Sequence, residues 1–323
     1  MVDNTITTLM PRLRLPQKSP LFSHAKGQGS AAAQSSLSSA YETIAEMPTR
    51  PTGSTPAINR RRPSDLVQPL QIGVGWDVGI SRRHEMNEDS LAVLQGTCTY
   101  QGHLVPFGLF VVADGMGGYE CGQEASRVAV QSMMHTVLQN IVMGDDLSDE
   151  FLTDMLIGGV EWANLAIFHR SQAWRKEMGT TITAALVVGM RVYIVNVGDS
   201  RTYVYREGAG LAQITRDHSL VASLVAAGQI APDDIYTHPE RNKVYRGLGS
   251  NDTIDVDWFV VDLYAHDCIL LCSDGLWEMV RDPAIERIMQ GHEDPADVSD
   301  RLVQAALRGG GADNVSAIVV RVP

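Results

Sequence analysis

Four acidic stretches stand at the mouths of apolar segments. Leu109-Phe110-Val111-Val112-Ala113 runs into Asp114-Gly115, Ile269-Leu270-Leu271-Cys272-Ser273 runs into Asp274-Gly275, and Gly309-Gly310-Gly311-Ala312 precedes Asp313-Asn314. Asn87-Glu88-Asp89 stands before Ser90-Leu91-Ala92-Val93-Leu94. One Asp-Gly pair alone is most simply a turn, because both residues suit turn conformations. Repetition changes the reading. Several strand-end carboxylates meeting at one place repel one another and raise their own pKa values, and a bound cation relieves that conflict. Oxygen-only donors suit magnesium, manganese or calcium, whereas structural zinc favours Cys and His. Glycine beside the acid lets a backbone carbonyl approach a ligand closely. Two such ions a few Å apart could share a carboxylate and a water, acidify that water and hold it in line with a phosphorus. One protein cation would still help to grip a phosphate, and Arg82 and Arg83 lie just upstream of Asp89. Arginine's planar fork fits phosphate oxygens bidentately.

Such chemistry needs strands that end at one place. Apolar runs bounded by Gly or Asp predict strands at Ile72–Val78, Phe107–Ala113, Thr181–Val188, Val192–Val197, Thr202–Tyr205, Val256–Val261, Cys268–Cys272 and Val315–Val320. Ala125, Val128, Ala129, Met133, Val137, Leu138 and Ile141 recur at helical period, as do Leu152, Met155, Leu156, Val160, Ala163 and Ile167. Pro283–Gln290 and Pro295–Arg308 read as helices opening on a first-turn proline, and Ser219 as the cap of a short helix over Leu220–Ala227. Gly198-Asp199-Ser200 predicts a hairpin turn between its flanking strands, with Arg201 supporting it through hydrogen bonds. Tight connections of this kind favour a largely antiparallel sheet over repeated βαβ units.

Composition bounds what the protein can be. Its 323 residues amount to one large domain or two ordinary ones at roughly 150 residues each, and 44% apolar content supports a sizeable core. Residues 1–70, rich in Ser, Pro, Thr and Ala, carry eight basic and four acidic residues; the chain's net charge of −12 therefore leaves −16 for residues 71–323. The first 70 residues are expected to be a flexible extension, because they offer little apolar surface against the entropy of ordering. No apolar stretch follows the start as in a secretory signal, and Asp3 with the scattered prolines ranks an organelle transit peptide below a tail. Strong acidity argues against nucleic acid as a partner. No unbroken apolar run approaches the roughly 18 residues of a membrane span. Cys98, Cys121, Cys268 and Cys272 form no C-x-x-C pair, and Cys268 with Cys272 reads as core packing on one strand face.

The ordered motifs resemble those of the metal-dependent protein phosphatase 2C family. They are Arg82-Arg83-His84-Glu85-Met86-Asn87-Glu88-Asp89, Val112-Ala113-Asp114-Gly115-Met116-Gly117-Gly118, Met178-Gly179-Thr180-Thr181, Val197-Gly198-Asp199-Ser200-Arg201, Thr215-Arg216-Asp217-His218-Ser219, Arg246-Gly247-Leu248-Gly249, Cys272-Ser273-Asp274-Gly275-Leu276-Trp277 and Ala312-Asp313-Asn314-Val315-Ser316. They span about residues 71–323, which becomes the expected catalytic domain. The resemblance implies an α+β fold, a four-layer α-β-β-α sandwich of two mainly antiparallel sheets flanked by helices. It implies a bacterial-type protein serine/threonine phosphatase that uses two Mn²⁺ or Mg²⁺ ions. Asp114 would bridge both metals, the Gly115 carbonyl would ligate one, Asp274 and Asp313 would hold the other, and Asp89 with Glu88 would bind through water. A hydroxide bridging the ions would attack phosphorus in line, with no phosphoenzyme.

The departures from the family pattern are specific. The position of the family's proposed general acid holds Met116, which cannot donate a proton, and His84 is a candidate substitute. The phosphate arginine's position holds His84, so a one-residue insertion makes Arg83 the clamp, with Arg82 the alternative. A third metal, found in many bacterial members, would draw on Glu177. Arg241, Lys243 and Arg246 belong to the flap beside the cleft. The expected protein is a cytoplasmic monomer without a membrane span, acting on phosphoserine and phosphothreonine proteins opposite a cognate Ser/Thr kinase. The rival from another class is a catalytically inactive member that binds phosphoproteins, which an intact acidic set disfavours.

Overall fold

The computed structural model describes residues 69–142, 144, 146–291 and 294–323. The expected extension, residues 1–70, lies outside the described residues except for Pro69 and Leu70. Two five-stranded sheets form the centre. In one, β1 (Gln71–Asp77), β12 (Val315–Arg321), β11 (Cys268–Cys272), β8 (Arg201–Arg206) and β9 (Gly210–Gln213) lie in that order. In the other the order is β10 (Asp257–Asp262), β7 (Arg191–Val197), β6 (Ile182–Val188), β3 (His103–Ala113) and β2 (Ser90–Tyr100). Every pairing in both sheets is antiparallel. A small ribbon joins β4 (Gly115–Met116) to β5 (Gly179–Thr180).

Side-chain alternation explains the layering. Along β3, Phe110 and Val112 enter the core between the sheets, while Leu109, Val111 and Ala113 face α1 (Tyr119–Val137) and α2 (Asp149–Trp174). Along β12, Ile318 and Val320 point between the sheets, while Val315, Ala317 and Val319 meet α4 (Asp274–Trp277), α5 (Asp282–Met289) and α6 (Pro295–Arg308). A strand buried on both faces reads as a continuous apolar run, which is how both strands appear in the sequence. The four layers are helix, sheet, sheet and helix, as the family resemblance implies. Close approach fixes one detail: α6 crosses β1 so tightly that a Cβ on Gly73 would lie 1.9 Å from the Pro295 carbonyl oxygen.

Local chemistry sets the helix ends. The Ser148 hydroxyl accepts from the Phe151 N–H at the start of α2, and Arg175 adopts a left-handed φ of 52° at its end. Asp294 caps α6 ahead of Pro295. With 26 residues and a window of mean hydropathy 1.3, α2 is long and apolar enough to cross a membrane by length and composition. It is nevertheless a core helix here, with Leu152, Leu156, Val160, Ala163 and Ile167 buried. Asp154 and Glu161 interrupt its apolar run, so it contains no unbroken apolar stretch of membrane-spanning length.

The expected hairpin at Gly198-Asp199-Ser200 is not there. β7 pairs with β6 and β10, whereas β8 pairs with β11 and β9, so these three residues carry the chain from one sheet to the other. Gly198 turns the backbone at φ 106°, and a Cβ there would sit 2.6 Å from the Thr181 side chain. A short connection between two apolar strands specifies closeness, and stacked sheets satisfy closeness as well as pairing does. True hairpins join β2 to β3 through Gln101 and Gly102, both at positive φ, and β6 to β7 through Gly189 and Met190.

Candidate active site

Strand ends from both sheets meet at one edge of the sandwich. Asp114 follows β3 and Asp89 precedes β2 in one sheet; Asp274 follows β11 and Asp313 precedes β12 in the other. Backbone bonds fix Asp114 closely: its N–H donates to the Thr181 hydroxyl at 3.0 Å, and its carbonyl accepts from the Thr181 N–H at 2.8 Å and the Thr180 hydroxyl at 2.7 Å. Gly115 is equally confined. A Cβ there would lie 2.2 Å from the Gly122 carbonyl oxygen and 2.6 Å from that of Glu88.

Asp89 is buried, and its Oδ2 accepts from the Ser316 hydroxyl at 2.7 Å and the Ser273 hydroxyl at 2.8 Å. Those two serines lie within the sequence motifs, yet their role as orienting donors was not read from them. Asn87 accepts from the Asp89 N–H at 2.9 Å, and Asn314 accepts from the Glu88 N–H at 2.8 Å while donating to the Val78 carbonyl. The Asn-Glu-Asp and Asp-Asn motifs therefore lock each other in place.

The electrostatics set these acids apart. Burial pushes the Asp89 carboxyl up to about 6, partly offset by the two serine hydrogen bonds. Asp114 is raised well above the carboxylate range, first by burial and then by the charges of Asp89, Asp274 and Asp313. Asp274 is raised similarly, by burial and then by Asp199, Asp313 and Glu278. The Asp114 carboxyl lies within electrostatic reach of both Asp89 and Asp274. Asp89 Oδ1 and Asp274 Oδ1 are buried without a hydrogen-bond partner. Among the described residues no three such side chains already stand in a closed chelate. What they offer is a convergent, all-oxygen donor set with orphaned oxygens and a crowded glycine carbonyl, which fits hard divalent cations.

The two arginines separate clearly. Arg82 holds Asp313 with both Nε, at 2.8 Å, and Nη2, at 2.9 Å, and its Nη1 lies 3.6 Å from Glu88. Arg83 is exposed and makes no ion pair among the described residues. His84 is exposed too, and so is Glu177. Met116 lies against the 247–249 loop, where a Cβ on Gly247 would come within 2.7 Å of its Cε. In the flap, Arg241 pairs with Glu278 at 3.2 Å and Arg246 with Asp257 at 2.9 Å, while Lys243 pairs with Glu240.

Asp199 was read as a turn residue, but it is a buried acid beside the cluster, raised to about 7 by burial and then by Asp217. The signal that could have found it is the Asp itself, since a residue joining two apolar strands across a sandwich has little solvent near it.

A family model described as protein phosphatase 2C matches residues 80–308. The chain belongs to the protein phosphatase 2C family. This phosphatase is 35% identical over 214 residues to the serine/threonine phosphatase Stp of Listeria monocytogenes, covering 66% of this chain and 83% of that protein. It is 37% identical over 216 residues to the serine/threonine protein phosphatase PstP of Mycobacterium tuberculosis, covering 66% of this chain and 40% of that one. The crystal structure of the M. tuberculosis serine/threonine phosphatase PstP superposes with a TM-score of 0.67 at 34% identity, covering 79% of this chain and 99% of that one. A PstP catalytic domain in complex with two manganese ions gives 0.65 at 32% identity, over 78% and 98%. The phosphatase is thus a protein serine/threonine phosphatase related to bacterial enzymes, and an inactive binding module is set aside.

Proposed function

We propose that Asp89, Asp114, Asp274 and Asp313, with Glu88 and the Gly115 carbonyl, hold two divalent ions of the manganese or magnesium class. Phosphoserine and phosphothreonine side chains of proteins are hydrolysed there without a phosphoenzyme. The observation that carries this reading is the convergence of like-charged carboxylates whose mutual repulsion no cation among the described residues fully offsets. The two manganese ions of the PstP complex support the number and class of ion. When bound, the ions activate a water for in-line attack and neutralise the phosphate. Asp114, which feels the charges of both Asp89 and Asp274, would hold both ions, while Ser273 and Ser316 hold Asp89 in one orientation.

Arg82, rather than Arg83, grips the phosphate. Its fork already engages a carboxylate bidentately at the site's rim, the geometry a phosphate would use. Residues 71–323 are the catalytic domain of a cytoplasmic monomer, residues 1–70 its extension, and the substrates are products of a cognate Ser/Thr kinase. Hydrolysis of a phosphothreonine peptide, followed before and after chelation and with Mn²⁺ restored, tests the reading. Turnover that survives complete metal removal, or that is unchanged in Asp274→Asn, would overturn it.

A further inference from the structure

α2 contains one side chain that its apolar core does not explain. Asn164 is 1% exposed among Val160, Ala163 and Ile167. A buried amide is costly unless both of its polar atoms are paired. Here both are, and to a single loop: Asn164 Oδ1 accepts from the Gly249 N–H at 2.8 Å, and Nδ2 donates to the Asn251 carbonyl at 2.9 Å. The loop also sits directly on the helix. Gly249, at φ 94°, leaves no room for a Cβ, which would lie 2.5 Å from Ile167 Cγ2.

That loop bridges the β4–β5 ribbon that adjoins Asp114. Leu248 bridges Thr180 antiparallel, with the Leu248 N–H donating to the Thr180 carbonyl at 2.8 Å and the Thr180 N–H returning a bond at 3.2 Å. Thr180 pairs with Gly115, and its hydroxyl donates to the Asp114 carbonyl at 2.7 Å. A continuous series of hydrogen bonds therefore runs from the helix amide through the 248–249 loop and Thr180 to Asp114.

We infer that Asn164 is a positioning residue for the phosphatase reaction, acting through the 248–251 loop and Thr180 to hold Asp114 and the Gly115 carbonyl in the geometry that binds metal. The inference rests on the proposed metal assignment of Asp114 and Gly115. It predicts an effect on metal binding that loss of core packing alone would not produce. Outer partners of metal ligands typically change affinity or activity by about 10- to 100-fold when removed.

The test uses the full chain and compares Asn164→Ala and Asn164→Asp with Val160→Ala, a cavity variant on the same helix. Mn²⁺ affinity is measured by titration calorimetry, with thermal midpoint and kcat recorded alongside. Asn164→Ala is expected to weaken Mn²⁺ binding by about 10-fold and to lower kcat at saturating Mn²⁺ by a similar factor. Asn164→Asp, which keeps the acceptor and loses the donor, should fall in between. Val160→Ala should lower the thermal midpoint and keep Mn²⁺ affinity within about twofold, because it leaves the ribbon bonds intact. If Asn164→Ala does not fold, Asn164→Asp decides the matter alone. Wild-type Mn²⁺ affinity in a folded Asn164 variant, or an equal loss in Val160→Ala, overturns the inference. Unchanged Mn²⁺ binding in Asp114→Asn overturns the metal assignment instead, so the two failures are distinguishable.

Discussion

The protein buries acids in two ways. Beside β8, Asp217 meets Arg201 at 2.6 Å, and the same guanidinium lies 3.6 Å over the Trp277 ring. Asp267 meets Arg206 at 2.6 Å, with Tyr264 covering that guanidinium at 4.2 Å. Each of these charges is matched within the chain. At the strand ends, Asp89, Asp114 and Asp274 face one another, and Arg82 engages Asp313 and Glu88 at the rim. Matched acids complete a structure; unmatched acids leave an electrostatic deficit that a cation from solution can remove. The contrast marks which carboxylates hold the fold together and which serve chemistry.

The comparison breaks first at Asp114. Asp114→Asn should lower kcat/KM for a phosphothreonine peptide by about 10³-fold or more, roughly 4 kcal/mol of transition-state stabilisation. It should leave the metal-free thermal midpoint unchanged or raised, because a repelling charge is gone. In the wild type, Mn²⁺ at about 100 times its Kd should add about 2.7 kcal/mol of stability over the chelated protein, and Asp114→Asn should abolish that gain. A matched acid should behave in the opposite way. Asp217→Ala strands the buried Arg201 and should cost about 3–5 kcal/mol in urea unfolding, whatever the metal concentration.

Arg82 sharpens the boundary between the two classes. Arg82→Ala should raise KM for phosphopeptide by about 10-fold, the range of one charge-assisted hydrogen bond, while Arg83→Ala stays within about twofold. The smallest effect belongs to Asp257. Burial pushes its carboxyl up, but His218 and Arg246 outweigh burial and hold it below the usual range. An acid depressed in this way stabilises the fold above its unfolded value near 4, and that contribution is lost as pH falls through the folded value. Asp257→Asn should therefore lose up to about 1 kcal/mol at pH 7, a loss that fades as pH falls below about 4 through the folded value, seen as a shallower acid limb in stability against pH.

Much of this was legible in the residues. The apolar runs marked strands because both sheet faces are covered, and Asp114, Asp274 and Asp313 stood out because each directly adjoins such a run. Other features escaped. The crossing at 198–200 looked like a hairpin because chain proximity does not say which sheet a strand joins. Arg82 and Arg83 are neighbours in sequence, and only the turn over residues 81–85 decides which faces the acids. Asn164 sits in an apolar helical stripe, and its partners lie more than 80 residues away in a loop that no periodicity predicts.

The pairing of β1 with β12 joins Gln71 to Arg321, the first strand to the last. During synthesis, at about 5–20 residues per second, β1 would wait on the order of ten seconds or more for its partner. Asp313 precedes that final strand, so the acid set becomes complete only when nearly all of the chain has been made. A nascent polypeptide that ends before Asp313 therefore lacks one member of the acid set.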